Sequence, residues 1–229
     1  MFKNKKVIYL VIMLLIIILA VGCAKDEKEK PKVEKPGVEK PKEEPVKNEL
    51  TVKDVYPLSQ GDYWKFAGTG NEYASFEQKV LFREGDRIQL QTATGGTVMA
   101  MIYEFKDGKL MVVYSQEEFY EEENILSREN EMSEVILQEP ITVGNSWESG
   151  GKKYKIEAID TVVNTPAGQF KDCVKISVVA EEFNSKSNVY YKPGLGLVKQ
   201  EYLAEDYKIT AELEEYNIKT AKFSHQTTK

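Results

Sequence analysis

From Val52 to Ile218 apolar and polar residues alternate with a period of two, interrupted at short intervals by turn residues. That pattern suits strands that are buried on one face, and it suits helices poorly. Phe76, Val80 and Phe82 alternate with Glu77, Lys79 and Arg83, Glu84-Gly85-Asp86 turns the chain, and Arg87–Gln91 resumes the alternation. Thr94-Gly95-Gly96 and Asp107-Gly108 are further turns, the second a strong hairpin signal. Tyr154, Ile156 and Ala158, then Val174, Ile176, Val178 and Ala180, keep the same period, and Val189–Lys192, Leu197–Leu203 and Tyr207–Ile218 follow. The reading is mainly β: about ten strands in a curved antiparallel sheet, a half-barrel or barrel-like meander, with one short helical or irregular insertion.

Two strands break the alternation because they are apolar on both faces. In Thr97–Phe105, Met99, Met101 and Tyr103 oppose Val98, Ala100 and Ile102; in Lys109–Ser115, Leu110 and Val112 oppose Met111 and Val113. Such strands need cover on both sides. The candidate cover is Gln116–Leu137, which lacks a strand pattern and carries eight acids against Arg128 alone. Met99, Met101, Tyr103, Met111 and Val113 are the candidate lining of an apolar site on the concave face, since methionine makes adaptable contact surface. The competing reading is that neighbouring side chains fill both faces as ordinary core.

An octapeptide occurs twice. Pro57-Leu58-Ser59-Gln60-Gly61-Asp62-Tyr63-Trp64 matches Pro140-Ile141-Thr142-Val143-Gly144-Asn145-Ser146-Trp147, and the chain's two tryptophans hold the last position. Pro57 and Pro140 set a bend, Gly61 and Gly144 allow a tight turn, and Trp64 and Trp147 start a strand that faces the core. The repeat raises two similar halves, about 52–138 and 139–218, although the rest of the halves does not align.

Thr165-Pro166-Ala167-Gly168-Gln169-Phe170-Lys171-Asp172-Cys173 is followed by Tyr190-Tyr191-Lys192-Pro193-Gly194-Leu195-Gly196-Leu197-Val198. Together with the opening octapeptide, this resembles uncharacterised bacterial envelope proteins with the patterns P-L-x-x-G-x-x-W, TPAGxFxxC and YxPGxGLV. Thr165, Pro166, Gly168, Phe170, Pro193, Gly194 and Gly196 carry the match. The resemblance implies an antiparallel sheet, such as a half-barrel over a helix in lipoprotein carriers, and it brings no catalytic residue.

The chain begins with Lys3, Lys5 and Lys6, an apolar run from Val7 to Val21, and Gly22-Cys23. Residues 1–22 read as an export signal. Leu19-Ala20-Val21-Gly22-Cys23 resembles a lipobox, which implies that Cys23 is acylated on sulfur and becomes the mature N-terminus. An uncleaved transmembrane anchor is the alternative, and in either case the lysines stay inside and the rest faces outward. Residues 23–49 hold eight lysines, eight acids and the regularly spaced Pro31, Pro36, Pro41 and Pro45, the composition of a disordered, extended tether. A β domain is expected over 50–218 and a flexible tail over 219–229.

Charge and residue usage narrow the function. The three early lysines are the only charges before Cys23 and the tether is neutral, so −9 of charge falls on residues 50–229. An acidic domain is a poor nucleic-acid binder, and anionic lipid would repel it, which leaves the acyl chains to hold it at the bilayer. The single histidine, His225, lies in the tail, Cys173 has no free partner once Cys23 is lipidated, and no clustered Cys/His set or phosphate loop occurs. No cofactor is expected. Three classes stay open: a non-catalytic binding or carrier module for an apolar or amphipathic ligand, a scaffold that binds a protein partner without a pocket, and a carboxylate-dependent hydrolase.

Overall fold

The structure is a computed structural model that describes residues 49–183, 185–204 and 207–219. The signal, Cys23, nearly all of the tether, and the tail from residue 220 lie outside the described residues. The rest forms one twelve-stranded antiparallel sheet, curled into a nearly closed barrel. Its strands are β1 (Tyr63–Thr69), β2 (Phe76–Glu84), β3 (Arg87–Thr94), β4 (Val98–Lys106), β5 (Lys109–Gln116), β6 (Glu134–Gln138), β7 (Ser146–Ser149), β8 (Lys152–Thr165), β9 (Gly168–Ala180), β10 (Ser185–Lys192), β11 (Gly196–Leu203) and β12 (Lys208–Asn217). Two of these go beyond the ten expected. β6 comes from the end of the supposed insertion and β7 has only four residues, each too short to show a period.

Every strand pairs with its neighbour in sequence, except at two places. β1 pairs with β12 from Tyr63↔Asn217 to Thr69↔Thr210, which joins the six-strand meander β1–β6 to the meander β7–β12. Opposite this junction the edges of β6 and β7 meet in a seam bridged by side chains. Ser149 Oγ accepts from the Val135 amide at 2.8 Å, and the Trp147 indole donates to the Val135 carbonyl at 2.9 Å. Exposed strand edges invite pairing with other chains, and here two side chains of β7 occupy the edge of β6.

Both octapeptides make the same turn. Gly61 donates to Val80 O and Val80 donates back to Asp62 O, both at 2.9 Å; Gly144 donates to Ile156 O at 2.8 Å and Ile156 to Asn145 O at 2.9 Å. Gly61 and Gly144 have φ of 88° and 91°, a region that side chains other than glycine's rarely adopt.

One end of the barrel is closed. A four-residue helix, α1 (Val52–Val55), is held by a capping box between Thr51 and Asp54, and it leads into a plug in which Val52, Val55, Tyr56 and Leu58 are buried. Each such apolar side chain contributes ~1.5–3 kcal/mol on burial. The plug is received by the β10–β11 turn: Gly194 donates to Asp54 O at 2.7 Å, and Trp64 Nε1 donates to Leu195 O at 3.0 Å. A Cβ on Gly196 would fall 2.3 Å from Tyr56 Cδ2, so the backbone approach of the plug requires glycine there. The tip of the long β8–β9 hairpin folds against β12. Ala167 donates to Leu213 O at 3.0 Å, Phe170 meets Tyr216 edge-on, and Cys173 is buried beneath.

Residues 117–133 form an irregular strap rather than a helix. Phe119, Ile125 and Leu126 pack on Ala100, Ile102, Val113 and Tyr114, with Phe82 and Met111 at the margin. This is a second, separate core on the outer face of the sheet. Gln89, fully buried, pins the strap by donating to Glu123 O at 2.8 Å and accepting from the Ile125 amide at 2.9 Å. Arg87 adds bonds to Leu126 O, Arg128 O and Asn130 Oδ1. The two-faced strands β4 and β5 are thus covered by the expected segment, but on the outer face and not the concave one.

Candidate functional site

The end of the barrel opposite the plug is open. There the inner face of the second meander carries small and polar residues, Ala180, Ser185 and Ser187, where the first meander places large ones such as Phe66 and Phe76, stacked at 4.4 Å. The space left is a cavity of about 590 Å³. Ile176, Val178, Val189 and Ile136 form its apolar wall, and Tyr103, Tyr154, Tyr191 and Tyr202 supply aromatic surface. Its size lies within the ~300–1,000 Å³ of small-molecule sites.

Register explains which residues meet. Tyr154 pairs with Val178 across β8–β9, Ile176 with Val189 across β9–β10, and Val189 with Gln200 across β10–β11, so these alternate residues share the inner face. Tyr103 reaches in from β4, and Glu134 and Ile136 from β6 at the seam. Tyr191 stands at the closed end, its ring centroid 5.7 Å from that of Tyr56 in the plug.

A polar group interrupts the wall beside the seam. Glu134 Oε1 accepts from Tyr154 OH at 2.5 Å and from Lys152 Nζ at 2.7 Å, and both partners lie on β8. Burial, reinforced by the bond to Glu134, pushes the Tyr154 phenol well above its ordinary pKa. Burial likewise raises Tyr103 and Tyr191, so all three remain neutral donors over the physiological range. No group of three His, Cys, Asp or Glu suited to hold a metal occurs among the described residues.

The structure divides the residues singled out in the sequence. Of the expected lining, Tyr103 reaches the cavity and Met101 packs on the main core; Met99 is only partly buried and does not line the cavity. Met111 and Val113 lie under the strap on the other face, a correction that follows from strand alternation: they are out of phase with Leu110 and Val112, which face the main core. Pro57, Gly61 and Trp64, Thr165 to Phe170, and Pro193, Gly194 and Gly196 build the closed end, while Pro140, Gly144 and Trp147 build the turn into the seam. None of these lines the cavity.

Sequence reasoning missed Tyr154, Glu134 and Lys152 as lining residues. The available signal was the three small side chains Ala180, Ser185 and Ser187, at inner-facing positions where β9 ends and β10 begins, which leave the lumen unfilled there.

Fold and site define a class: a nearly closed β-meander barrel, plugged at one end and holding an open, largely apolar cavity at the other. No family model matches the chain, and no curated protein matches it. Two solved structures are similar in fold. One is a protein described as exported, with a YmcC-like fold, from Bacteroides fragilis, 12% identical over 72% of this chain and 99% of that one, with a TM-score of 0.43. The other is described as a lipoprotein from Parabacteroides distasonis, 17% identical over 71% and 98%, with a TM-score of 0.43. The functional reading therefore rests on the geometry of this chain.

Proposed function

We propose that the chain is an exported, lipid-anchored protein whose barrel binds an apolar or amphipathic molecule in its open lumen, without catalysis. The export reading rests on the charged start, the apolar run and Gly22-Cys23, and on the resemblance to envelope proteins. Acylation at Cys23 would tie the protein to the outer side of the bilayer through residues 24–49. The cavity of about 590 Å³ at the open end carries the binding reading. Its wall is apolar, its polar groups are few and convergent, and the plug closes the other end, so a ligand enters and leaves by one mouth.

The test is co-purification and filling. A soluble form that begins at Lys47, two residues before the first described residue, should yield bound lipid on solvent extraction and mass spectrometry, and it should bind a pyrene-labelled alkyl probe. Val178→Trp, which fills the lumen, should abolish both. Absence of lipid and of probe binding in the unsubstituted protein would leave the scaffold reading in its place.

A further inference from the structure

We propose that the inner end of the cavity recognises an uncharged acceptor oxygen, so that the ligand is an apolar chain bearing a neutral carbonyl or ester head, held head-first against Tyr103 and Tyr191. This rests on the lumen being the binding site.

The first observation is the state of the two phenols. Tyr103 and Tyr191 are only 7% and 6% exposed, and both line the cavity. The Tyr103 hydroxyl donates only a long, weak hydrogen bond among the described residues, to Met101 Sδ at 4.0 Å. The Tyr191 hydroxyl makes no hydrogen bond among the described residues, and Tyr191 is one of the residues that line the cavity. Buried polar groups are nearly always paired, and two phenols without firm partners at the closed end of a cavity point to a partner that arrives with the ligand.

The second observation is the charge balance. Lys152 and the Tyr154 hydroxyl are already committed to Glu134, and the three form a compensated group. A ligand carboxylate or phosphate would place a further negative charge near Glu134 in a poorly solvated space, where Lys152, the cation among the described lining residues, is already taken. A cationic head would find both lining carboxylates already paired, Glu134 with Lys152 and Glu201 with Lys199 and Lys208. An ester or ketone oxygen suits both: it accepts from Tyr103 and Tyr191 and adds no charge. The alkyl part then runs along Ile176, Val178 and Val189 toward the mouth.

Acylglycerol esters and long-chain quinones share this head chemistry. The full chain, kept soluble in amphipol, is loaded with a pyrene-labelled alkane and titrated with a monoacylglycerol, the matching fatty acid at pH 8, and an alkyl-benzoquinone. The glycerol ester or the quinone should displace the probe on the order of tenfold more tightly than the fatty acid, and the tighter of the two identifies the source. Tyr103→Phe with Tyr191→Phe, which keeps both rings, should erase that preference, a loss on the order of tenfold for two hydrogen bonds. Equal or tighter binding of the carboxylate, or an unchanged ester preference in the double variant, would overturn the head-group proposal and leave the lumen reading standing. Failure of the alkane itself to bind would overturn both.

Discussion

Trp64 and Trp147 stand at matching positions at the starts of β1 and β7, and each indole donates to a backbone carbonyl, Trp64 to Leu195 at 3.0 Å and Trp147 to Val135 at 2.9 Å. The first bond ties β1 to the turn that receives the plug. The second closes the seam between β6 and β7. One sequence pattern thus serves two kinds of closure, one at the end of the barrel and one along its side.

These roles separate on substitution. Trp64→Ala removes a fully buried ring that meets Tyr56 edge-on at 5.5 Å, and it should cost ~3–5 kcal/mol of stability. Trp147→Phe keeps most of the stacking on Tyr154 but loses the seam bond, which should cost about 1 kcal/mol. Urea unfolding should rank the two in that order, and faster amide exchange at Val135 should mark the second.

The plug depends on Gly196. Gly196→Ala adds a methyl against the Tyr56 ring at a φ of 95°, and should destabilise by about 3 kcal/mol. Limited proteolysis should then cut near residues 49–58 in the variant before it cuts the wild type.

The strap is held by polar side chains beneath it. Gln89→Ala leaves the Glu123 carbonyl and the Ile125 amide without partners, a cost of ~1–3 kcal/mol. Protease sensitivity should rise within residues 117–133, while probe binding in the lumen, on the other face of the sheet, should be unchanged.

Two titrations follow from burial. Burial alone would raise the carboxyl of Glu201, but hydrogen bonds from Lys208 at 2.6 Å and Tyr190 at 3.0 Å, with the charge of Lys199, outweigh it and hold the group at about 2. Its folded value lies below the unfolded one, so its contribution to stability is present above pH ~4.5 and is lost as pH falls toward 2. The drop in thermal midpoint over that interval should be smaller in Glu201→Gln.

Cys173 behaves in the opposite sense. Burial pushes its thiol up to about 11. The folded protein should resist a thiol reagent at pH 8 and react once denatured. Its stabilising contribution holds below the unfolded thiol's value near 9 and is lost as pH rises through 11.

The fold was legible because the inner face of each long strand keeps a period of two, and because turn chemistry at Glu84–Asp86, Asp107-Gly108 and Pro193-Gly194 marks where strands reverse. Strands β6 and β7 were not, since four or five residues cannot display a period. The candidate site was poorly legible. Apolar Met111 and Val113 drew attention, yet a cavity forms where side chains are small, and Ala180, Ser185 and Ser187 carry no chemical signature of their own. Tyr191 could be seen in the sequence, but that it faces the lumen depends on register across three strands.

The junction between β1 and β12 sets the order of assembly. Every other pairing is a hairpin or a link between consecutive strands, which forms after closing a short loop, whereas Tyr63 must find Asn217 across about 150 residues of chain. The two meanders can therefore gather their local hairpins early, and the barrel waits on one long-range encounter, the slow class of event in β folding. Until that encounter the plug has only part of its socket: Tyr56 and Trp64 come from one meander, and the Gly194–Gly196 turn that receives them comes from the other.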